Sequence, residues 1–239
     1  INDSAVSCAK IAVETDDTIA ASHSSNAMTV TGAGIGTGRS IDFTGVISGT
    51  LDIICTHPNT TEADLSASSG VVNHLTLNHA SLVMKMNSAA TLGNLTITAG
   101  EFTTVDAGGS DKALTVAGTT QVTGTLTCNS SAISLGTGLT SGWGLDIQSG
   151  GTFTGGSGTH TIGSIFAAGG GTRTITLSSG ATTIDSKNTG NGYTINLASG
   201  TTFNHGSGTV TMTYAGAVSY TTLTRPTTYP VLISVAGIA

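Results

Sequence analysis

Charge is scarce in this sequence. Of 239 residues only 8% are Asp, Glu, Lys or Arg, and seven basic against thirteen acidic residues leave a formal charge of −6. So few cations form no basic patch, which argues against a nucleic-acid partner. Aromatic residues make up 4% with a single Trp, and there are three prolines and three cysteines. Cys8, Cys55 and Cys128 lie far apart without a CxxC spacing, which argues against a metal or redox site. They read as small buried hydrophobes, with room for one disulfide and one free thiol, because an odd count makes no full disulfide framework. The longest uncharged apolar run, Val231–Ala239, has nine residues, too few for a helix to span a bilayer. The chain opens on Ile1 rather than Met, which reads as a processed or partial chain, and no signal peptide is visible. Good helix formers are too few for a helical bundle. Disorder throughout is excluded by a hydrophobic fraction of 38% and a mean hydropathy of +0.23, since disorder couples low hydrophobicity with high charge.

What the chain has instead is Thr (45 residues), Gly (34) and Ser (27), together 44% of the sequence. Gly shows no three-residue period and Pro is rare, so this is not collagen. The class left is all-β, built from many short strands.

Internal similarity says which kind. LDIQSGGTFTGGSGTHTI (Leu145–Ile162) aligns without gaps with INLASGTTFNHGSGTVTM (Ile195–Met212), fifty residues on, with nine of eighteen positions identical. The matches include Ser149/Ser199, Gly150/Gly200, Phe153/Phe203 and the Gly-Ser-Gly-Thr runs from Gly156 and Gly206. LTITAGEFTT from Leu95 and ITLSSGATTI from Ile175 are further copies. In Leu145-Asp-Ile147 and Ile195-Asn-Leu197 apolar and polar residues alternate, the period of a half-buried strand. Ser-Gly then supplies a residue able to take positive φ, a second strand carries Phe153 or Phe203 inward, and Gly-Ser-Gly makes the next corner. Strand, glycine turn, strand, glycine turn is the grammar of a β-solenoid, a parallel β-helix whose coils bury a narrow aliphatic column. Steps of 30 and 20 residues between Leu145, Ile175 and Ile195 predict coils of uneven length.

Three regions follow. Residues 1–94 read as a less regular β region, with Ala5–Val13 as a short helix capping the solenoid end. Residues 95–224 carry the repeat. Residues 225–239 form an apolar strand bounded by Pro226 and Pro230, which either closes the last coil or pairs with another chain, with Val231, Leu232, Ile233 and Val235 as its assembly residues. His57–Asp64 reads as a longer surface loop.

Ala113–Thr127 reads ALTVAGTTQVTGTLT. This resembles the LTVxGTTxxTGxLT phrasing of tail-fibre, spike and other virion surface proteins of bacteriophages, and is similar to stretches of autotransporter-type adhesins. The resemblance implies an extended β-structured appendage or coat element that self-associates. It brings no catalytic motif with it.

The polar residues offer little chemistry of their own. Asp146 aligns with Asn196, as an outward polar position would and a catalytic base would not. Asp106–Asp111 and Asp185–Gly192 read as turns rather than Ca²⁺ loops, and Glu14, Asp16 and Asp17 as a solvated cluster. The six histidines do not converge: His160 aligns with Val210 and His205 with Gly155, which suggests tolerant outward or corner positions. No HExxH, Gly-x-Ser-x-Gly or P-loop occurs, and no cofactor or metal is expected. Trp143, in Ser-Gly-Trp-Gly, reads either as an exposed aromatic for stacking on a sugar or as filler at a corner, and Tyr193 is its companion candidate.

The leading expectation is a non-enzymatic structural component of an extracellular or virion surface assembly, a homo-oligomer or one subunit among others, without a membrane span. The alternatives are a glycan-binding adhesin on a cell surface, an ice-binding solenoid and a polysaccharide-degrading one. Thr-x-Thr recurs at Thr159/Thr161, Thr172/Thr174/Thr176 and Thr209/Thr211/Thr213, but ice binding needs threonines stacked on one face at equal spacing, and the uneven coils argue against it.

Overall fold

Where every second residue is apolar, a strand can bury one face, and here that pattern repeats after each corner. The computed structural model describes residues 6–13, 18–20, 27–32, 41–43, 46–48, 52–58, 63–67, 71–167, 169–185, 193–213, 217–220 and 234–235. Among them the chain is all-β without a helix, a β-solenoid of about seven turns. A single hydrogen-bonded set joins 23 strands, and Thr18–Ala20 pairs separately with Val46–Ser48.

From Thr120 onward each coil lays down three strands, and each strand as far as Tyr193–Leu197 pairs in parallel with the third one after it. Thr120–Val122 pairs with Leu145–Ile147, which pairs with Ile165–Ala167 and then Tyr193–Leu197. Thr125–Thr127 pairs with Thr152–Thr154, then Arg173–Thr176 and Thr201–Asn204. Ile133–Leu135 pairs with His160–Ile162, then Ala181–Ile184 and Thr209–Met212. Upstream, two long strands, Val71–Met86 and Ala90–Thr103, each run round the corners and serve all three ladders.

The core consists of the inward columns of these ladders. Leu126, Phe153 and Ile175 stack on one side, Leu145, Ile165 and Ile195 on another, and Leu135, Ile162 and Ile184 on the third, all buried. Burying each such side chain stabilises the fold by roughly 1.5–3 kcal/mol, and the backbone hydrogen bonds that join coil to coil leave the ladder interior satisfied.

The corners explain the glycines of the repeat. Gly150 and Gly200 take φ of 90° and 82°, as the Ser-Gly turn required. Gly156 and Gly206 are also in the left-handed region, and a Cβ there would lie 1.7 Å from the Asn129 carbonyl oxygen and 2.0 Å from that of Leu177. Successive coils therefore touch backbone to backbone at this corner, and only glycine fits.

Three sequence expectations change. Ala5–Val13 is no helix: Val6–Cys8 and Ile11–Val13 are strands, paired with Ala27–Val30 and Ile41–Phe43. Ile11 and Val13 are buried with Ala12 exposed between them, so strand alternation outweighs the helix propensity of the three alanines. The cysteines are all free thiols, Cys55 and Cys128 buried and Cys8 partly so. Val30 separates Cys8 from Cys55 in one column, and burial pushes the Cys55 thiol up to about 12. His160, expected outside, is buried between Ile133 and Thr182, because its ladder register places it in an inward column.

Candidate functional site

An outward residue of one coil meets its counterparts 4.7–4.9 Å away on the coils before and after. The solenoid therefore gathers residues that lie twenty to thirty apart in sequence. On the side built by Thr120–Val122, Leu145–Ile147, Ile165–Ala167 and Tyr193–Leu197, the outward row reads Gln121, Asp146, Phe166, Asn196. Asp146 accepts hydrogen bonds from Gln121 Nε2 at 3.2 Å and from Gln148 Nε2 at 2.6 Å. It is thus an outward polar rung held by two amides.

Trp143 stands in the turn before Leu145 and lies over the next coil, its ring stacked on Phe166 with centroids 4.6 Å apart and planes 23° apart. Both rings are half-buried. Trp143 is therefore neither a free-standing platform nor a buried filler. Tyr193 opens the strand two coils further on and is 38% exposed, the one exposed large hydrophobic residue among the described residues. Trp143 and Tyr193 each precede by two residues a paired inward position, Leu145 and Ile195, with Ile165 between. This side thus carries a ring pair and a short row of amide and carboxylate groups, with exposed Tyr193 opening the strand two coils on. Such a surface can stack on the apolar face of a pyranose and hydrogen-bond its hydroxyls.

Phe166 was not singled out by sequence reasoning. Its signal is the lone aromatic at the outward position of Ile165-Phe-Ala167, where the equivalent rungs are Asp146 and Asn196. Of the proposed assembly strand, Ser234–Val235 pairs with Thr211 and Met212 on the preceding coil; Val231, Leu232 and Ile233 lie outside the described residues, as do Glu14, Asp16 and Asp17.

The remaining polar clusters are structural. The Lys112 ammonium lies 2.9 Å from Asp106, which also accepts the Ser110 N–H. Hydrogen bonding to Lys112, with the Ser110 N–H behind it, lowers the Asp106 carboxyl to about 2. Asp111 accepts the Ser130 N–H at 2.9 Å, so these carboxylates close the loop and tie it to the next coil. Buried Arg173 donates to the carbonyls of Gly169, Gly170 and Gly171, bracing the glycine-rich corner that leads into its own strand. Among the described residues no group of three or more His, Cys, Asp or Glu side chains is placed to hold a metal ion, and no helix is long and apolar enough to cross a membrane. Comparison with protein-family models, curated proteins and solved structures finds no match.

Proposed function

We propose that the chain is a non-enzymatic structural component of an extracellular or virion surface assembly, a fibre, spike or decoration element that self-associates through strand edges. The observation that carries this reading is the continuity of the ladder. Parallel pairing runs from Val6–Cys8 to the strand Ser234–Val235, which joins the end of one ladder beyond Thr209–Met212. The coil at each end of such a stack has one side of its backbone donors and acceptors unclaimed by the coils between, a template for another strand. The sparsely charged, hydroxyl-rich exterior limits charge repulsion between copies packed side by side. Native mass measurement and electron microscopy of the full chain test it: ordered oligomers or filaments are expected, dispersing when residues 231–239 are deleted. A chain that stays monomeric at high concentration overturns the reading.

A second reading, a glycan-binding adhesin, is favoured by the Trp143–Phe166 stack beside Tyr193 and the Asp146 rung. Glycan-array binding that is lost in Trp143→Ala and weakened in Tyr193→Ala supports it. Binding untouched by both substitutions sinks it.

A further inference from the structure

We propose that the side of the solenoid formed by Thr125–Thr127, Thr152–Thr154, Arg173–Thr176 and Thr201–Asn204 is an ice-binding surface. Its outward positions form two parallel rows. The first is Thr125, Thr152, Thr174 and Thr202; the second is Thr127, Thr154, Thr176 and Asn204. Seven of these eight positions are threonine, and none carries a charge.

Unequal coil length had counted against such an array. The first-row threonines are 27, 22 and 28 residues apart in sequence, yet each pair is in direct register, and no bulge interrupts these three pairings. The spare residues are taken up at corners and loops, so the hydrogen-bonding distance between strands sets the spacing of the rows and coil length does not. Neighbouring threonines in one row are therefore about 4.7–4.9 Å apart, and the two rows about 6.6–6.8 Å apart along the strand. The surface is a regular two-dimensional grid.

Hydroxyls at that separation cannot hydrogen-bond one another. Thr127 donates to Glu101 at 2.8 Å, at the end of the array where charge begins. No other threonine of the grid has a hydrogen bond from its hydroxyl to another described residue, so six hydroxyls are left to water. A water between two threonines of a row can bridge both. The side chains holding it are β-branched, restricted in χ1 and backed by the buried residues Leu126, Phe153 and Ile175. Rigid hydroxyls and methyls on a fixed grid order water before a crystal arrives, which removes much of the ordering cost of adsorption. The spacing within a row is close to the repeat of oxygens along one axis of ice. The third side of the solenoid provides the internal contrast: its outward row Thr91, Thr115, Ser134, Thr161, Thr183, Thr211 is also rich in hydroxyls, but its companion row is broken, since Ala181 stands opposite Thr209. A broken second row leaves no continuous second dimension to match.

Labelled full-length protein adsorbed to a single-crystal ice hemisphere tests this, together with ice-recrystallisation inhibition. Wild type is expected to coat the ice and suppress recrystallisation. Thr152→Lys/Thr174→Lys, at the centre of the first row, is expected to lose both, and Thr154→Lys/Thr176→Lys in the second row repeats the test if the first variant fails to fold by circular dichroism. Thr161→Lys/Thr183→Lys on the third side is expected to keep both. Wild type that behaves like an inert control protein overturns the proposal, and so does equal loss on the two sides. Adsorption of an intact monomer to ice is read independently of assembly, so either reading can fail alone.

Discussion

The two copies of the repeat, Leu145–Ile162 and Ile195–Met212, share half their residues and occupy equivalent places on all three ladders, two coils apart. They are not buried alike. Phe153 is fully buried between Leu126 and Ile175, whereas Phe203 is half-buried, paired to Ile175 on one side and, among the described residues, to no strand on the other. His160 is fully buried and its counterpart Val210 only partly. The same residues thus do different amounts of work according to position in the stack. A coil's contribution depends on having neighbours on both sides, the nearest-neighbour behaviour of repeat proteins.

The largest expected effect tests that directly. Phe153→Ala opens a cavity between two occupied rungs and is expected to destabilise by about 3–5 kcal/mol. Phe203→Ala removes a ring that already meets solvent, at a cost of roughly 1–2 kcal/mol. Urea unfolding of the two variants measures the gap. Equal losses would break the comparison, because local sequence would then outweigh stack position.

Next in size is a pH effect that only the first copy carries. His160 sits in an inward column with Ile133 and Thr182 as rungs, and Phe153 meets it edge-on at 6.2 Å. None of these bears a charge, and neither ring nitrogen has a partner. Desolvation lowers its pKa from 6.5 to about 4. The unfolded chain therefore takes up a proton below pH 6.5 that the folded chain refuses until about pH 4. Stability from this group is complete above pH 6.5, falls as pH drops through that window and is level below it. At 1.36 kcal/mol per unit the loss is about 3 kcal/mol, with the folded value taken as about 4. His160→Val, which installs the residue of the second copy, is expected to remove that part of the slope in unfolding measured at pH 7, 5.5 and 4. A slope unchanged by the substitution assigns it to other groups.

The behaviour of His160 also marks the limit of what the sequence discloses. Alternation within one strand is local, and it correctly places Leu145, Ile147 and Phe153 inside and Asp146 outside. The Ser-Gly corners are local too, since positive φ at Gly150 and Gly200 leaves a residue signature. The alignment of His160 with a valine suggests a tolerant outward or corner position, whereas the property the two share is an inward register that accepts a neutral imidazole. Trp143 on Phe166 and the threonine grid are relations between coils. They depend on which residues of successive coils are in register, and corner loops of different length hide that register from any fixed period. Once pairing is known, the offsets of 27, 22 and 28 become one straight row.

The smallest expected effect concerns Thr182, the rung that lies between the two copies in the His160 column. Its hydroxyl is buried and has no hydrogen-bond partner, so its desolvation is uncompensated in the folded state. Thr182→Val exchanges the hydroxyl for a methyl of nearly the same shape and is expected to stabilise by about 1 kcal/mol. Thr104 is the contrasting case: its buried hydroxyl donates to the Cys128 carbonyl at 2.7 Å. That carbonyl also accepts the Ser131 N–H at 3.0 Å, so Thr104→Val removes one of two bonds without orphaning the acceptor, and a loss of about 1 kcal/mol is expected. Opposite signs for one substitution at two buried threonines, read from thermal or urea unfolding, would show that pairing decides and burial alone does not. A loss at Thr182 would mean that its hydroxyl is satisfied in solution, with the imidazole of His160 one rung away as the nearest acceptor in its column.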